Sequence, residues 1–404
     1  MIEKALAELT LNITDGKHGD CRGKDDSGYY FISCKDIREG QIHYEDARQI
    51  IEEDFWDAHK RTRLEPDDIL VTNSGTIGRM AFVRDVPLTY RTTFQKSVAI
   101  VKPDKAKIFP KYLYYQLQNC VDDFINRSNG AAQKNLLLST MRAFKMNIHE
   151  DEDLQMHIAA ILSAYDDLIE NNQKQIKLLE EAAQRLYKEW FVDLRFPGHE
   201  TTPIVDGVPE GWKVDRADTF FNMSIGKTPP RAEKQWFTDG DKGTPWISIS
   251  DMGNSGTYVF HTTEGLTAEA ITKHNVRVVP TDTILVSFKL TVGRVSITTT
   301  STCTNEAIAH FLIPDSFLRE YTYLYLKCFE YDSLGNTSAI SKAVNSKIIK
   351  AMPFVMPDSE ILQRFHQVGK PILEEIKNKQ KTNICLAEAR DRMLPKLMSG
   401  EIEV

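Results

Sequence analysis

Residues 64–82 read LEPDDILVTNSGTIGRMAF, and residues 278–297 read VVPTDTILVSFKLTVGRVSI. Both segments contain a proline, an ILV run, a short polar loop and a Gly-Arg pair, in the same order. Solenoid repeats recur every ~20–50 residues, which is far shorter than the separation of these two segments. The sequence therefore predicts two copies of one domain in a single chain.

The similarity between the two halves extends beyond this segment. Five further stretches recur in the same order: residues 31–42 at 246–258, 93–104 at 303–315, 109–118 at 317–327, 129–148 at 335–356 and 171–190 at 378–397. Because the order is kept throughout, the sequence predicts the tandem duplication of a whole unit. In each unit, a mixed part with short β-type runs comes before a long helical part.

The composition is that of an ordinary globular protein. The 404 residues are enough for two or three domains, and 41% of them are hydrophobic and 26% charged. The six cysteines are scattered without a CxxC pair, which favours a reducing cytosol over a disulfide framework. The chain has no apolar run of about 18 residues and no apolar core near its N-terminus. We therefore expect neither a membrane span nor a signal peptide.

The negative charge is concentrated in one segment. The formal net charge is −7, yet residues 1–149 contain 22 basic and 21 acidic residues, whereas residues 150–190 contain 4 basic and 10 acidic residues. The first mixed domain is thus close to neutral. Such a domain can still bind nucleic acid when its basic residues lie on one face.

Residues 154–190 contain neither glycine nor proline, and their apolar residues recur at steps of three and four. This period predicts a long amphipathic helix with a heptad-like stripe. A second stripe follows in residues 360–397, where Lys379, Asn383 and Arg390 interrupt it. The predicted stripe residues are Ile158, Ile161, Tyr165, Leu168, Asn172, Ile176, Leu179 and Leu186 on the first helix, and Ile372, Ile376, Leu386 and Met393 on the second.

Two long helices at equivalent places in a duplicated chain predict an antiparallel pair, as a pseudo-two-fold axis would require. Asn172 lies in the middle of the first stripe, where a buried asparagine costs stability but fixes register or partner choice. Pro371 and Pro395 predict a kink near one end of the second helix and a stop near the other. An internal core helix is the plainer interpretation of either stripe.

The predicted fold class is α+β, with two tandem mixed domains separated by long helices that pair as an antiparallel coiled coil. Residues 191–211 are punctuated by proline and glycine and read as a linker. The predicted boundaries are 1–150 for the first mixed domain, 151–192 for the first helix, 193–210 for the linker, 211–357 for the second mixed domain, and 358–404 for the second helix and a C-terminal tail.

Three polar loops in each mixed domain hold the candidate contact residues. Asn, Gln, Lys, Arg, Ser and Thr are the residue types that read base edges and hold phosphates. The candidates are Lys17, His18, Asn73, Ser74, Thr76, Arg79, Gln133, Lys134 and Asn135 in the first domain, and Lys227, Thr228, Arg231, Lys289, Thr291, Arg294, Asn336, Ser341 and Lys342 in the second. Surface loops are polar in any protein, so each residue has an alternative structural role. Arg79 and Arg294 are alternatively internal salt-bridge partners.

The sequence lacks the motifs of a self-contained enzyme. Gly226, Lys227 and Thr228 resemble the end of a phosphate-binding loop, but that motif needs a glycine at position 221, which is Phe. No GxSxG, HExxH or kinase set is present, and neither is a cofactor loop or an Asn-Pro-Pro-aromatic loop of a DNA methyltransferase. We therefore expect a non-catalytic chain that binds no metal and no cofactor itself.

Two divergent mixed domains, each followed by a long helix, resemble the specificity subunit of type I restriction–modification systems. The resemblance covers essentially the whole chain. It rests on the proline-to-arginine segments at residues 66–79 and 280–294, on QMHIAAILS at residues 155–163 and on LPKLMSGEI at residues 394–402. The second stripe is more polar than the first, which departs from a symmetric helix pair.

This resemblance implies a DNA-binding adaptor in the cytoplasm of a prokaryote. Each target-recognition domain would read one half of a bipartite, asymmetric site in double-stranded DNA, and the helices would set the gap between the halves. The helices would also dock two modification subunits, which methylate adenine with S-adenosylmethionine. Restriction subunits would supply translocation and cleavage with ATP and Mg, so these cofactors belong to the partners.

Two other functions remain open from the sequence. The chain is alternatively a scaffold whose coiled coil and mixed domains bind proteins rather than DNA. A self-contained DNA methyltransferase with duplicated recognition domains is a further alternative, although its motifs are missing. An inactive copy of a specificity subunit would have the same sequence pattern.

Overall fold

The computed structural model describes residues 1–128, 134–334 and 344–404, with Asp241 described by its backbone alone. The chain forms two compact units, of which the first comprises Met1–Leu168 with Leu386–Val404 and the second comprises Ile169–Cys385. Two long helices, Glu152–Tyr187 and Ser359–Ser399, each contribute one part to each unit. A π-helical turn, Lys188–Val192, follows the first of them.

The main sheet of the first unit has four antiparallel strands, in the order Thr10–Asp15, Val98–Pro103, Ile69–Thr72 and Met80–Phe82. Ile2–Ala5 pairs antiparallel with Lys145–Ile148, Tyr30–Ile32 pairs parallel with Thr92–Phe94, and Ile37–Arg38 pairs with Gln41–Ile42. The shorter helices are Glu52–His59, Pro110–Asn119, Val121–Asn126 and Leu138–Arg142, with 3-10 turns at Leu6–Glu8, Cys34–Asp36 and Thr89–Arg91.

The main sheet of the second unit has the order Asn222–Ile225, Ile308–Leu312, Ile284–Ser287, Val295–Thr298 and Tyr258–Val259. A second sheet has the order Phe237–Asp239, Glu264–Leu266, Thr244–Ile247 and Cys303–Thr304, and two pairs are Lys213–Arg216 with Pro353–Met356 and Ile204–Val205 with Val208–Pro209. The shorter helices are Ala217–Phe220, Ile249–Ser255, Ala268–His274, Arg319–Cys328 and Ser346–Lys350, with 3-10 turns at His199–Thr201, Lys234–Trp236, Gly240–Lys242, Ser316–Leu318 and Tyr331–Leu334.

The two units repeat one strand topology, which confirms the duplication. The first four strands of the second main sheet correspond in order and direction to the four of the first. In both units a parallel pair and a terminal antiparallel pair accompany this sheet. The second unit adds the strand Tyr258–Val259, paired parallel with Val295–Thr298. The predicted fold class of two tandem mixed domains with long helices is confirmed.

Both faces of each main sheet are buried, which explains why the ILV runs are continuously apolar. In the first unit Ile69 and Val71 pack among the Tyr-rich helix Pro110–Asn119 and the long helices, whereas Leu70 packs in a separate cluster with Ile32 and Phe94. Side chains alternate between the faces of a strand, so two buried faces require apolar residues at every position. The second unit repeats this division, with Ile284 and Val286 on one face and Leu285 on the other.

The two long helices run antiparallel within each unit. In the first unit the Tyr165 hydroxyl lies 3.3 Å from Met393 Sδ, and Asp166 Oδ1 lies 2.5 Å from Arg390 Nη1. In the second unit Asn172 Nδ2 donates to Asn383 Oδ1 at 2.8 Å. Partner numbers fall along one helix as they rise along the other, so the antiparallel prediction is confirmed.

The predicted stripes form most of the apolar contacts of these helices. Ile158 and Ile376 are fully buried, and Ile161, Ile176, Leu179, Leu186, Ile372 and Met393 pack partly buried against the two main cores. Tyr165, Asn172 and Leu386 are half-buried, whereas Leu168 is 52% exposed. The Asn172 amide donates to the Asn383 amide oxygen on the opposite helix, and a contact of this type favours one register of a helix pair.

The prediction that Pro395 stops the second helix was wrong, since the helix runs through Pro371 and Pro395 to Ser399. A proline inside a helix removes one backbone hydrogen bond and costs about 3 kcal/mol. Burial beside each proline opposes this cost: Leu373 follows Pro371 at 1% exposure, and Leu397 follows Pro395 at 0%.

Candidate nucleic-acid interface

A hairpin loop at residues 73–79 connects the strands Ile69–Thr72 and Met80–Phe82 of the first unit. The Thr72 hydroxyl closes this first hairpin loop, because it donates to the Thr76 carbonyl and accepts the Arg79 backbone N–H at 2.9 Å. Gly75 and Gly78 have φ angles of +82° and +88°. Glycine suits this left-handed backbone because it has no Cβ.

The second hairpin loop, at residues 288–294, is closed in the same way. The Ser287 hydroxyl donates to the Thr291 carbonyl at 2.5 Å and accepts the Arg294 backbone N–H at 3.0 Å. Gly293 has a φ angle of +87°, matching Gly78 of the first loop, but the residue that corresponds to Gly75 is Leu290, with a φ angle of +62°. The two loops therefore share one backbone frame and differ in their side chains.

A turn containing Gly-Lys lies beside the hairpin loop in each unit. Four backbone bonds hold these turns: Gly16 N–H to the Val98 carbonyl (3.0 Å), Lys17 N–H to Phe94 (2.9 Å), Gly226 N–H to Ile308 (3.1 Å) and Lys227 N–H to Thr304 (2.9 Å). A Cβ on Gly16 would lie 2.1 Å from the Phe94 carbonyl oxygen, and one on Gly226 would lie 2.0 Å from that of Asn305. The close approach of the neighbouring backbone therefore explains why both positions are glycine, and no bound phosphate is needed to explain them.

The candidate loops of each unit converge on one backbone segment. In the first unit, the Gly-Lys turn bonds to Phe94 and Val98, and Asn73 N–H donates to the Ser97 carbonyl at 3.1 Å. In the second unit, Phe288 N–H donates to the Ala307 carbonyl at 2.9 Å, between the residues that hold the second turn. Loops that are far apart in sequence therefore lie together, as a composite recognition surface requires.

The third candidate loop lies partly outside the described residues, which exclude Gln133, Asn336, Ser341 and Lys342. Lys134 and Asn135 are described and exposed. Ser74 and Asn135 form an antiparallel β-bridge, and Leu136 N–H donates to the Asn73 carbonyl at 2.8 Å. In the first unit, the structure therefore brings the third loop against the first hairpin loop.

Two candidate residues of the first unit, Lys17 and His18, have acidic partners. Lys17 Nζ lies 2.6 Å from Asp57 Oδ2, and this hydrogen bond raises the pKa of Lys17. His18 Nε2 lies 2.8 Å from Asp15, whose carboxylate also accepts from Arg61 at 2.8 Å. A phosphate that binds here would compete with these carboxylates.

The other candidates of the first unit differ in exposure. Thr76 and Arg79 are exposed at the first hairpin loop, and Ser74 is half-buried. Asn73 is 5% exposed, and its Oδ1 has no hydrogen-bond partner among the described residues. The amide oxygen of Asn73 is therefore a buried acceptor at the point where the loops meet.

Two candidate arginines of the second unit are committed to internal contacts. Arg231 Nη1 lies 2.7 Å from Glu264 Oε2, and its guanidinium lies 4.4 Å from the Phe237 ring centroid and 4.5 Å from that of Trp246. Arg294 Nη1 donates to the Ile249 carbonyl at 2.5 Å. The alternative of an internal role for Arg294 is thus the one that the structure favours, through a backbone carbonyl rather than an ion pair.

The remaining candidates of the second unit lie near the surface. Lys227, Lys289 and Thr291 are exposed, and the Lys289 ammonium lies 5.5 Å from the Phe288 ring centroid. Thr228 is half-buried, and its hydroxyl donates to Glu306. Lys227 and Lys289 therefore have the exposure that a phosphate contact requires.

Leu290 is a feature that the sequence analysis did not single out. Its side chain is 95% exposed at the tip of the second hairpin loop. The available signal was the alignment of the two copies, which places Leu290 opposite Gly75. Phe288, which stands opposite Asn73, is the other apolar substitution in this loop, but its side chain is buried.

Among the described residues, no group of three or more His, Cys, Asp and Glu side chains is arranged to hold a metal ion. None of the helices in the described part of the chain is long and apolar enough to cross a membrane.

The family model described as the type I restriction modification DNA specificity domain matches the chain twice, at residues 21–181 and 209–384. The type I restriction enzyme MjaIX specificity subunit of Methanocaldococcus jannaschii is 26% identical, over 83% of this chain and 78% of the relative. The type I restriction enzyme HindI specificity subunit of Haemophilus influenzae is 24% identical, over 75% of this chain and 80% of the relative.

A solved structure supports the same fold over nearly the whole chain. It is the type I restriction–modification system S subunit from M. genitalium, with a TM-score of 0.55 and 13% identity. The similarity covers 98% of this chain and 96% of that one. At this identity, the likeness concerns the fold alone.

Proposed function

The chain belongs to the type I restriction–modification DNA specificity family, and we propose that each of its mixed domains reads one half of a bipartite, asymmetric DNA site. The single observation that carries this proposal is the repetition of one loop frame with different side chains. In each unit, a hydroxyl just before the hairpin loop accepts the backbone N–H of the arginine at its end. A Gly-Lys turn lies beside each of these loops. A common frame with different contact residues is what two readers of unequal half-sites need.

The proposed contacts divide into phosphate and base contacts. Lys134, Lys227 and Lys289 are exposed, and we assign them to phosphates. Thr76 and Thr291 are also exposed, their carbonyls accept from the Thr72 and Ser287 hydroxyls, and we assign their side chains to the bases. Phosphate contacts position the protein, whereas base-edge contacts specify the sequence. Affinity should fall with salt, because each neutralised phosphate releases condensed counterions.

We propose that the long helices set the gap between the half-sites and dock two modification subunits. Exposed apolar side chains support the docking role, namely Met156, Leu168 and Leu178 on the first helix, at 39%, 52% and 63% exposure. Val368 on the second helix is 46% exposed. Apolar side chains on a helix face are the usual anchors of helix-mediated recognition.

We assign no catalytic step to this chain, in keeping with the relatives, which are named specificity subunits. In the proposed complex, the modification subunits bind S-adenosylmethionine and methylate adenine. Restriction subunits would then use ATP and Mg for translocation and cleavage. The cytoplasm of a prokaryote is the proposed location of this complex.

Adenine methylation mapping of genomic DNA tests the proposal. Cells would express the partner modification subunit alone, this chain alone, or both. We expect a split motif, with an undefined gap, that appears only when both proteins are present. A motif produced by this chain alone would instead indicate a self-contained methyltransferase. A folded, co-purifying complex that methylates nothing would contradict the proposal and favour a scaffold or an inactive copy.

A further inference from the structure

Leu290 combines two features that each cost free energy. Its side chain is 95% exposed to water, and its backbone has a φ angle of +62°, in the left-handed region that disfavours residues with a Cβ. The corresponding residue of the first hairpin loop, Gly75, has the same type of backbone without that conflict. Strained, exposed positions of this kind are typical of ligand-contact sites.

Contacts on both sides of Leu290 fix the loop in the conformation that leaves this side chain exposed. On one side, Phe288 is fully buried and its N–H donates to the Ala307 carbonyl at 2.9 Å. On the other side, the Ser287 hydroxyl and the Ile249 carbonyl both accept from Arg294, at 3.0 Å and 2.5 Å. The tip therefore cannot fold back onto the core without breaking these contacts. Such preorganisation lowers the entropy cost of binding.

The neighbours of Leu290 are those of a nucleic-acid contact. Lys289 and Thr291 flank it, and both are exposed. A cation suits a phosphate, and a hydroxyl suits a phosphate or a base edge. Between them, an apolar side chain needs an apolar partner, and the 5-methyl group of thymine is the apolar group that base pairs present in the major groove.

We propose that Leu290 contacts a thymine methyl group in the second half-site and so determines base preference there. This inference rests on the proposed function, since it assigns one residue to the reading of one base. It also explains the difference between the two hairpin loops. The first loop has a glycine at this position and would read its half-site without an apolar contact from the tip.

The variants Leu290→Asn and Leu290→Met separate the contact from the fold. Asparagine has a similar size and tolerates the left-handed backbone well, but it is polar. Methionine keeps the apolar character. Leu11→Asn is the matched control, because Leu11 is 72% exposed on the strand Thr10–Asp15 of the first unit. We expect Leu290→Asn to unfold at the same denaturant concentration as the wild type, or at a higher one.

The test uses the full-length chain with its modification subunit and duplexes that carry the motif found by methylation mapping. Burial of a leucine side chain corresponds to about tenfold or more in affinity. We therefore expect Leu290→Asn to bind the mapped duplex about tenfold more weakly than the wild type does. On a duplex with a scrambled second half-site, Leu290→Asn and the wild type should have the same affinity. Leu290→Met and Leu11→Asn should bind the mapped duplex within about twofold of the wild type.

Replacement of single thymines by uracil identifies the contacted methyl group. At one position of the second half-site, uracil should weaken wild-type binding several-fold and have no effect on Leu290→Asn. Equal binding by Leu290→Asn and the wild type would overturn the inference. So would a loss of affinity that is the same for the scrambled duplex, or the absence of any uracil-sensitive position. If the wild type does not discriminate the mapped from the scrambled duplex, the proposed function itself fails, and the inference fails with it.

Discussion

His310 is fully buried in the second unit, where both ring nitrogens have hydroxyl partners. Ser224 Oγ lies 2.8 Å from Nδ1, and Thr304 Oγ1 lies 2.7 Å from Nε2. Burial lowers the pKa of His310 from 6.5 to about 4, because the charged ring would lose its hydration. The position thus requires a neutral ring that hydrogen-bonds at both ends.

The lowered pKa of His310 predicts a loss of stability in mild acid. Below pH ~6.5 the unfolded state binds a proton that the native state refuses until about pH 4, so stability falls as pH falls through this window. From pH 7 to pH 5 this linkage amounts to about 2 kcal/mol. Urea titrations of the wild type and His310→Gln at both pH values measure it, and the variant should lose this part of the pH dependence.

His157→Gln provides the control, because His157 is exposed on the first long helix. This variant removes an exposed histidine and leaves the buried His310 in place. If His310→Gln retained the full pH dependence of the wild type, a neutral buried ring would not be its source.

The close packing around Gly226 predicts that a side chain at this position destabilises the fold through a steric clash rather than through an unfavourable backbone angle. A Cβ here would lie 2.0 Å from both the Asn305 carbonyl oxygen and the Thr304 hydroxyl oxygen. We expect Gly226→Ala to lower the free energy of unfolding by about 3 kcal/mol, as overpacking does. Gly207→Ala is the comparison, since Gly207 has open space but a φ angle of +85°, and it should cost about 1–2 kcal/mol. Denaturant titrations that gave both variants equal stability would contradict the close-approach explanation.

At the scale of elements, polar residues of the two long helices match across the pair. Asp166 accepts from Arg390 at 2.5 Å and from the Tyr115 hydroxyl at 2.6 Å. The Asp166 and Arg390 side chains are only 22% and 24% exposed. This ion pair, like the Asn172–Asn383 pair, replaces apolar packing with a contact that fixes register.

A double-mutant cycle on Asp166 and Arg390 tests this pairing. Arg390→Met should cost about 1–3 kcal/mol, because it leaves a partly buried carboxylate with Tyr115 as its main partner. Asp166→Asn combined with Arg390→Met should cost less than the sum of the single changes, with a coupling of about 1 kcal/mol. Lys174, which pairs with Glu170 within one turn of the first helix, is 70% exposed, and Lys174→Met should have little effect. Additive costs would show that the two residues act independently.

The sequence predicted these elements well because a local period and a repeated order of segments are enough to indicate them. Apolar periodicity predicted both long helices, and the duplication predicted their antiparallel pairing and the two matching sheets. It did not predict that Asn383 and Arg390 would find partners in Asn172 and Asp166. They were interpreted as interruptions of a stripe, since a partner on a distant segment has no local signature.

The described candidate residues lie in turns and loops, as the sequence predicted, but the internal contacts of their side chains could not be predicted. Arg231 lies between two aromatic rings and Glu264, and Lys17 binds Asp57. Each of these contacts joins residues that the fold brings together from separate segments. Residue type identified polar loops, whereas tertiary contacts decide which cations remain available to DNA.

For the whole molecule, the duplication predicts that the two half-sites are read independently. Lys134 belongs to the loops of the first unit and Lys289 to those of the second, and both are exposed. If each mixed domain reads its own half, a change in one unit should leave recognition of the other half intact. If a change in one unit also altered recognition of the other half-site, the two units would share one reading surface.

Arg79 and Lys289 provide the matched pair for this test, one on each hairpin loop and both exposed. We expect Arg79→Ala to relax recognition in one half of the methylated motif only. Lys289→Ala should weaken affinity and leave the specificity of both halves unchanged, since a phosphate contact carries no sequence information. Because Lys289 is a candidate phosphate contact, its loss should also lower the slope of log affinity against log salt by about 1. Methylation mapping of cells that express each variant gives the motif, and titration of a labelled duplex at several salt concentrations gives the slope. A variant that altered both halves at once, while the protein remained folded, would contradict two independent readers, because a reader confined to one unit has no route to the bases of the other half-site.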